Sequence, residues 1–468
     1  MLFNSLQFFI FLPVVTLLFY LLPFRFRWIL IFVASCYFYM ALIPKYILLL
    51  FFIILVDYIS ALTIEQTRGK LKTFFLVFSI ASNLGLLCFF KYYNFFDSNL
   101  ESLFRHLHLS YERIPLQLIL PIGLSFHTFQ SMSYTIEVYR GNQKAERHLG
   151  YFANYVLFFP QMVAGPIERY SSLGNELKKN NTPLYENFSN GLRLILFGLF
   201  IKMTIADNIA PVVNQVYENP SQFNSIDILS VIFLFSFQIY ADFYGYSTIA
   251  IGCARLLGVN IMDNFKTPYL SRSISEFWQR WHISLSSWFR DYLYIPLGGN
   301  KVKIPRFIFN VLVVFTISGF WHGASWTFII WGFLHGFFFL LEKLIGIYFS
   351  SSKKSESWFL NGILTFKTFL IVSLIWVFFR AENLEKVKSI FYALIHNKSV
   401  AGEQLHYGYA WIMAIVLLFS DYLFFNSRFD KSMVGSPSFL RWAFYTIILF
   451  GLLTMSGVEQ YPFIYFQF

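Results

Sequence analysis

FWQRWHISLSSWFRDYLYIPLGGN, residues Phe277–Asn300, places a histidine, two arginines, an aspartate and three tryptophans between long hydrophobic stretches. Lipid offers no hydrogen-bond partners to so many polar groups, so such a cluster lies at a membrane interface or lines a protein cavity. A second histidine, His322, follows about forty residues later in SGFWHGASW, inside an apolar run. Two such histidines in a hydrophobic chain indicate a candidate membrane enzyme.

The composition of the whole chain supports a membrane protein. Of its 468 residues, 57% are hydrophobic and only 13% are charged, whereas soluble domains average about 25% charged residues. The formal net charge of +11 would suggest nucleic acid in a soluble protein. In a membrane protein, an excess of Lys and Arg is better explained as a topology signal on cytoplasmic loops.

The hydrophobic pattern predicts an all-α fold, a polytopic helical bundle of about eleven crossings with additional re-entrant or short helices. A crossing needs about 20 mainly apolar residues. The predicted spans are 6–23, 28–44, 46–64, 72–91, 116–138, 187–209, 227–256, two shorter segments in 307–345, 360–379, 408–426 and 440–457. No soluble domain is evident, so residues 1–468 are expected to form a single integral membrane domain. The positive-inside rule places the N-terminus outside and the basic 255–306 loop in the cytoplasm.

His322 is the strongest candidate for chemistry. An imidazole near neutral pH can accept a proton from a hydroxyl and return it to a leaving group, although a hydrogen-bonded structural histidine is an equal alternative. If one helix continued from His322 to His335, the two would lie nearly 20 Å apart at about 1.5 Å per residue. His335 is therefore interpreted as a packing residue beside Gly332 and Gly336, and spacing alone leaves the role of His282 open.

Other polar residues in apolar segments allow two readings. Lys202, Asp207 and Asp242 are either paired charges or residues at interfacial helix ends, or else they line a cavity, and the sequence favours neither reading. The three cysteines, Cys36, Cys88 and Cys253, have no metal-ligand spacing, so no metal site is predicted. Metalloprotease, hydrolase-elbow and P-loop patterns are absent from the sequence.

Several longer motifs carry a resemblance to a known family. They are LPIGLSFHTFQSMSY (120–134), FFPQMVAGPIER (158–169), QIYADFYGYSTIAIG (238–252), NFKTPYLSRSISEFWQRWHISLSSWFRDYLYIPLGGN (264–300), SGFWHGASWTFIIWGFLHG (318–336), WVFFRAENL (376–384) and FIYFQF (463–468). Together they resemble the membrane-bound O-acyltransferase (MBOAT) family, in the branch of bacterial alginate O-acetylation membrane proteins. Ala241, Tyr244 and His127 depart from the expected pattern and leave the pocket shape open.

The resemblance implies both a site and a set of partners. The family's catalytic histidine falls on His322 and its second histidine on His282. The family also implies a central tunnel, acetyl-CoA as acyl donor, an SGNH-type extracytoplasmic acetyltransferase as partner, and an exported polysaccharide as acceptor, at the bacterial cytoplasmic (inner) membrane. Arg280, Arg290 and Lys301 are candidates for binding the donor's phosphates, with plain topology charges as the alternative.

His322 would act as a general base on the acceptor hydroxyl, or carry the acetyl group itself; His282 would orient a reacting group or stabilise the oxyanion. The main rival is a proton-coupled transporter or channel that uses buried histidines, for which internal repeats and paired acidic residues would be expected. A catalytically inactive scaffold is a third reading, disfavoured by the intact RWHIS and WHGASW motifs. The sequence does not identify the acceptor.

Overall fold

The structure is a computed structural model that describes residues 1–117, 120–163, 165–348, 357–397, 405–456, 461 and 463–464. All regular structure in these ranges is helical. The described chain divides into two compact units, one of residues 1–191 and 253–262 and the other of residues 192–252 and 263–468. The last four residues of the FIYFQF motif lie outside the described residues.

The first unit contains the N-terminal helices. These are α1 (Leu6–Leu21), α2 (Phe24–Met40), α3 (Ile47–Gln66), α4 (Gly69–Leu87), α5 (Tyr93–His106), α6 (Leu124–Arg140), α7 (Leu149–Leu157), α8 (Asn175–Leu177) and the first part of α9 (Tyr185–Leu199). Helix α3 packs against α4 and α6. Asp57 is fully buried there, and its carboxylate accepts hydrogen bonds from Ser79, Asn83 and Ser131, so a charged residue is accommodated between apolar helices.

The second unit contains the motifs with the two candidate histidines. Its further helices are α10 (Asp207–Glu218), most of α11 (Ser225–Leu256), α12 (Ile274–Arg280), α13 (Ile283–Phe289), α14 (Ile304–His322), α15 (Trp326–Tyr348), α16 (Trp358–Arg380), α17 (Leu384–His396), α18 (Gly408–Leu423), α19 (Phe429–Gly435) and α20 (Ser438–Met455). A π-helical turn, Arg290–Tyr294, follows α13. Such widened turns occur often at functional sites.

Within the described ranges, eight helical segments are long and apolar enough to cross a membrane. They are Pro44–Gln66, Gly69–His106, Tyr185–Glu218, Ser225–Leu256, Ile304–His322, Trp326–Gly346, Trp358–Arg380 and Ser438–Met455, with Leu6–Leu21 and Gly408–Leu423 as shorter apolar helices. This confirms a polytopic helical membrane protein. The predicted span at 116–138 is different, because its helix begins only at Leu124, after Gly123 adopts a left-handed backbone with φ 73°.

Helices α14 and α15 form a closely packed pair. A Cβ built on Gly332 would lie 2.2 Å from the carbonyl oxygen of Phe315, and one built on Gly319 would lie 2.2 Å from that of Phe328. Only glycine fits at this distance between the two backbones, which is the usual role of small residues between membrane helices. The prediction of two segments in 307–345 is confirmed by α14 and α15, and the structure adds that the two helices pack closely.

Candidate active site

His322 is the last residue of α14 and is only 4% exposed. The chain turns immediately afterwards, because Gly323 has an extended backbone and α15 begins at Trp326. A Cβ at Gly323 would lie 2.2 Å from the ring of Phe328. The WHG sequence therefore ends one helix, places the imidazole at that end, and leaves room for an aromatic ring of the next helix.

Aromatic side chains surround the imidazole of His322. Its ring centroid lies 5.1 Å from Trp331, 5.4 Å from Phe379 and 4.9 Å from Trp321, with interplanar angles of 69° or more in each pair. Edge-to-face contacts of this kind are favourable and fix ring orientation. Phe379 belongs to the WVFFRAENL motif on α16, so one of the motifs that carry the family resemblance supplies one wall of the candidate site.

His335 lies much closer to His322 than a continuous helix would place it. A separation of nearly 20 Å would require one continuous helix from His322 to His335. The chain instead reverses between His322 and Trp326. The centroids of His322 and His335 lie 5.1 and 5.0 Å from the same ring, that of Trp331. The indole N–H of Trp278 donates to Nδ1 of His335 over 3.3 Å, which connects α12 to α15 and agrees with a packing role.

His282 is fully buried between α12 and α13 and has a left-handed backbone with φ 43°. This conformation is strained for a non-glycine residue, and strained backbone occurs preferentially at functional sites. Asn264 holds the segment, since its carbonyl oxygen accepts from the Ile283 N–H and its Oδ1 from the Ser284 N–H. Burial lowers the pKa of His282 to about 3, so the imidazole is neutral at physiological pH.

The two candidate histidines belong to one aromatic network in the second unit. His282 lies 4.8 Å from the ring of Phe243 on α11, whereas the rings described around His322 come from α14, α15 and α16. Ring pairs connect the two surroundings; they are Phe243–Phe265, Phe265–Trp281, Trp281–Trp376 and Trp376–Trp331, with centroids 5.0 to 5.5 Å apart. Sequence reasoning assigned no role to these rings, because their contacts join distant motifs.

The three candidate phosphate-binding residues have different surroundings. Arg280 forms an ion pair with Glu276 at 2.7 Å and donates a hydrogen bond to the Thr267 hydroxyl at 3.0 Å. Arg290 forms an ion pair with Asp291 at 2.8 Å. Lys301 is exposed. Arg290 lines a cavity of about 370 Å³ whose other walls are mainly apolar. Of these three cations, Arg290 alone lines this cavity.

This cavity, named here the apolar cavity, lies between the 275–294 segment and α14. Trp278, Ile283 and Ser286 line one side, and Val314 and Ser318 line the other. Ser318 precedes His322 by one helical turn, so the two side chains are on the same face of α14. The volume of the apolar cavity, about 370 Å³, is within the range of about 300–1,000 Å³ that is typical of ligand pockets.

Lys202, Asp207 and Asp242 form a buried ion-paired cluster. The Lys202 ammonium lies 2.7 Å from Asp207 and 2.6 Å from Asp242, with all three side chains at most 6% exposed. The Ile464 N–H also donates to Asp242 at 2.6 Å. The adjoining cavity is about 10 Å³, room for about one water molecule, so the paired-charge reading applies.

Comparison with known proteins identifies the family. Residues 142–381 match the family described as MBOAT, membrane-bound O-acyltransferase family. The chain belongs to the MBOAT family. It is 34% identical to a probable alginate O-acetylase AlgI of Pseudomonas putida over 496 aligned positions that cover 100% of both chains.

Two other relatives extend the comparison within the MBOAT family. The chain is 37% identical to a peptidoglycan O-acetyltransferase of Helicobacter pylori, with 79% of this chain and 73% of the relative covered. It is 33% identical to a teichoic acid D-alanyltransferase of Streptococcus thermophilus, with 46% and 55% covered. This MBOAT protein is therefore a multi-pass membrane acyltransferase, and its two histidine motifs fall in the matched region.

Proposed function

We propose that this protein moves an acetyl group from cytoplasmic acetyl-CoA across the bacterial inner membrane towards an exported cell-envelope polysaccharide. An SGNH-type extracytoplasmic acetyltransferase would complete the transfer, as the family resemblance implies. Two of the relatives are named for O-acetylation of alginate and of peptidoglycan, and both acceptors are glycans. These names support acetyl as the group and a polysaccharide as the final acceptor.

The observation that carries the proposed site is the apolar cavity that reaches Ser318, one turn from His322 on the same helix face. An acylated pantetheine arm is long and uncharged, and its thioester would approach the buried imidazole along such a cavity. Arg290, which also lines this cavity, would then contact the donor's phosphates. Arg280 and Lys301 belong to the same net-basic loop and remain proposed phosphate contacts.

In this mechanism His322 acts as the general base. An imidazole nitrogen accepts the proton of the acceptor hydroxyl, the oxygen attacks the thioester carbonyl, and the C–S bond breaks as the proton passes to the leaving thiolate. A neutral His282 would donate an N–H hydrogen bond to the oxygen that becomes negative, a role its lowered pKa permits. A positioned general base contributes about 10²–10⁴-fold in rate.

The decisive experiment measures release of free CoA thiol from acetyl-CoA by the protein in proteoliposomes, with its extracytoplasmic partner and acceptor supplied. His322→Ala is expected to reduce the rate by about 10²–10⁴-fold at equal expression and unchanged thermal stability. His396→Ala, which changes an exposed histidine at the end of α17, is the matched control. A silent wild type, or a His322→Ala variant with normal turnover, would contradict the proposal.

A further inference from the structure

Phe463, the first residue of the FIYFQF motif, packs against the middle of α11 in the second unit. It is fully buried, and its ring centroid lies 5.6 Å from that of Phe243 and 4.7 Å from that of Tyr246. Phe243 and Tyr246 are three positions apart on α11, so they lie on the same face of the helix. This face of α11 therefore receives a ring to which the proposed chemistry assigns no role.

Polar contacts hold the backbone on both sides of this phenylalanine. The Ile464 N–H donates to Oδ2 of Asp242 at 2.6 Å, and the Lys202 ammonium donates to the carbonyl oxygen of Tyr461 at 3.1 Å. Asp242 and Lys202 also form an ion pair with each other, and both side chains are buried. Breaking hydrogen bonds to buried charged groups is costly. The ion-paired cluster therefore fixes the backbone around the phenylalanine against α11.

Phe243 connects this ring to His282. The centroids of Phe243 and His282 lie 4.8 Å apart with an interplanar angle of 87°, an edge-to-face contact that favours one orientation of the two rings. Phe265 packs against Phe243 as well, with centroids 5.0 Å apart. Neither Phe463 nor Phe243 belongs to the described lining of the apolar cavity. Phe463 therefore contacts the surroundings of His282 without taking part in the proposed donor path.

The backbone conformation of His282 explains why its ring depends on such contacts. A left-handed residue that is not glycine keeps its conformation only where the surrounding structure determines it. Asn264 holds the backbone that follows, through the N–H groups of Ile283 and Ser284. These hydrogen bonds leave the side-chain torsions of His282 unset. The packing of Phe243 against the imidazole supplies that restraint.

We infer that Phe463 is a positioning residue for acyl transfer, which supports Phe243 and through it fixes the orientation of the His282 imidazole. This inference rests on the proposed function, in which His282 donates a hydrogen bond to the oxyanion. Such a donor stabilises the transition state only when it is aimed at the position where the charge develops. Lys202 and Asp242 then act on the site at a distance, through the backbone that they hold.

The test measures thiol release from acetyl-CoA by Phe463→Ala in proteoliposomes, with the extracytoplasmic partner and acceptor supplied. Removing the ring leaves space beside Phe243, so kcat is expected to fall by about tenfold to a hundredfold, while KM stays within about twofold of the wild-type value. Phe463→Leu keeps most of the apolar volume and should lose less activity. Phe235→Ala is the matched control, because it removes another fully buried ring of α11, one that packs against Tyr217, and should leave kcat unchanged.

A double-mutant comparison separates positioning from a general loss of structure. In a His282→Ala background the imidazole that Phe463 positions is absent, so adding Phe463→Ala should cause no further loss of kcat. An equal loss in both backgrounds, or a normal kcat in Phe463→Ala, overturns the inference. Size-exclusion chromatography ensures that the rates compare folded proteins, and Phe463→Leu takes the place of Phe463→Ala in this comparison if the alanine variant does not fold.

The proposed function and this inference fail separately. If the wild type releases no thiol, or if His282→Ala releases it at the normal rate, the proposed function fails, and chemical labelling still tests the position of His282. Diethyl pyrocarbonate modifies accessible imidazoles, and mass spectrometry identifies the modified peptide. Because His282 is fully buried, it should be labelled faster in Phe463→Ala than in wild type or Phe235→Ala. Equal labelling rates in the three proteins would overturn the inference.

Discussion

Gly332→Ala tests whether the spacing of α14 and α15 holds the candidate active site. The added Cβ would lie 2.2 Å from the Phe315 carbonyl oxygen and 3.0 Å from the Gly319 backbone, whereas ordinary contacts begin near 3.4 Å. Both neighbours are helix backbone, so the helices must separate by more than about 1 Å. Trp331, the adjacent residue, contacts both His322 and His335 and must move with α15.

A displacement of about 1 Å at a reacting centre costs about 10²-fold in rate, so Gly332→Ala should lower kcat for thiol release by about that factor. Gly346→Ala is the matched control, because it adds the same methyl to the same helix with no heavy atom within 4 Å. Folded yield by size-exclusion chromatography separates a loss of rate from a loss of protein. Normal kcat in correctly folded Gly332→Ala would refute the reasoning that this helix contact positions His322.

Two further predictions concern stability, and thermal unfolding in detergent checks both. Burial raises the pKa of Glu168 to about 7, although hydrogen bonds from the Met262 N–H and Ser172 partly offset this shift. The carboxyl of the unfolded chain ionises near pH 4.5, so the free energy of unfolding falls as the pH rises from about 4.5 through 7. Glu168→Gln keeps a hydrogen-bond acceptor but removes the charge. The variant should be more stable than wild type at pH 8, by roughly 3 kcal/mol, but not at pH 4. Equal unfolding temperatures at pH 8 would contradict this prediction. Lys202→Met leaves Asp207 and Asp242 buried without their cation and should lower the free energy of unfolding by about 3–5 kcal/mol. Changing both aspartates to Asn as well should restore part of that stability. An unchanged unfolding temperature in Lys202→Met would show that the ion pairs do not contribute to stability.

The helical fold class was predictable because hydropathy reports directly on burial in lipid. The run from Phe307 to Leu340 was long enough for two helices, and the structure forms α14 and α15 there. The position of His335 was not predictable from rise per residue alone, because that estimate assumed one continuous helix. The signal was present in the sequence, since Gly323 directly follows His322 and favours a chain reversal at that point.

The surroundings of the histidines depend on tertiary contacts that spacing does not reveal. Phe379, more than fifty residues after His322, forms one wall of its site, and Asp421 meets Asn264 at one cavity despite their distance in sequence. Composition and periodicity describe each helix by itself and do not say which helices meet. The family motifs did mark WVFFRAENL as important, although without assigning a role to its aromatic rings.

The buried charges bear on the choice between acyl transfer and proton-coupled transport. A proton relay needs ionisable groups whose partners change as the proton moves along the pathway. Asp207 and Asp242 instead share Lys202, and Asp242 also accepts a hydrogen bond from the Ile464 backbone, so each carboxylate has a fixed partner. These charges form a paired cluster in the second unit, while His322 lies among aromatic rings, at the end of α14 and one helical turn from Ser318, which lines the apolar cavity. Carboxylates with fixed partners are not expected of a proton relay, so the cluster favours acyl transfer over proton-coupled transport, in agreement with the family to which the chain belongs.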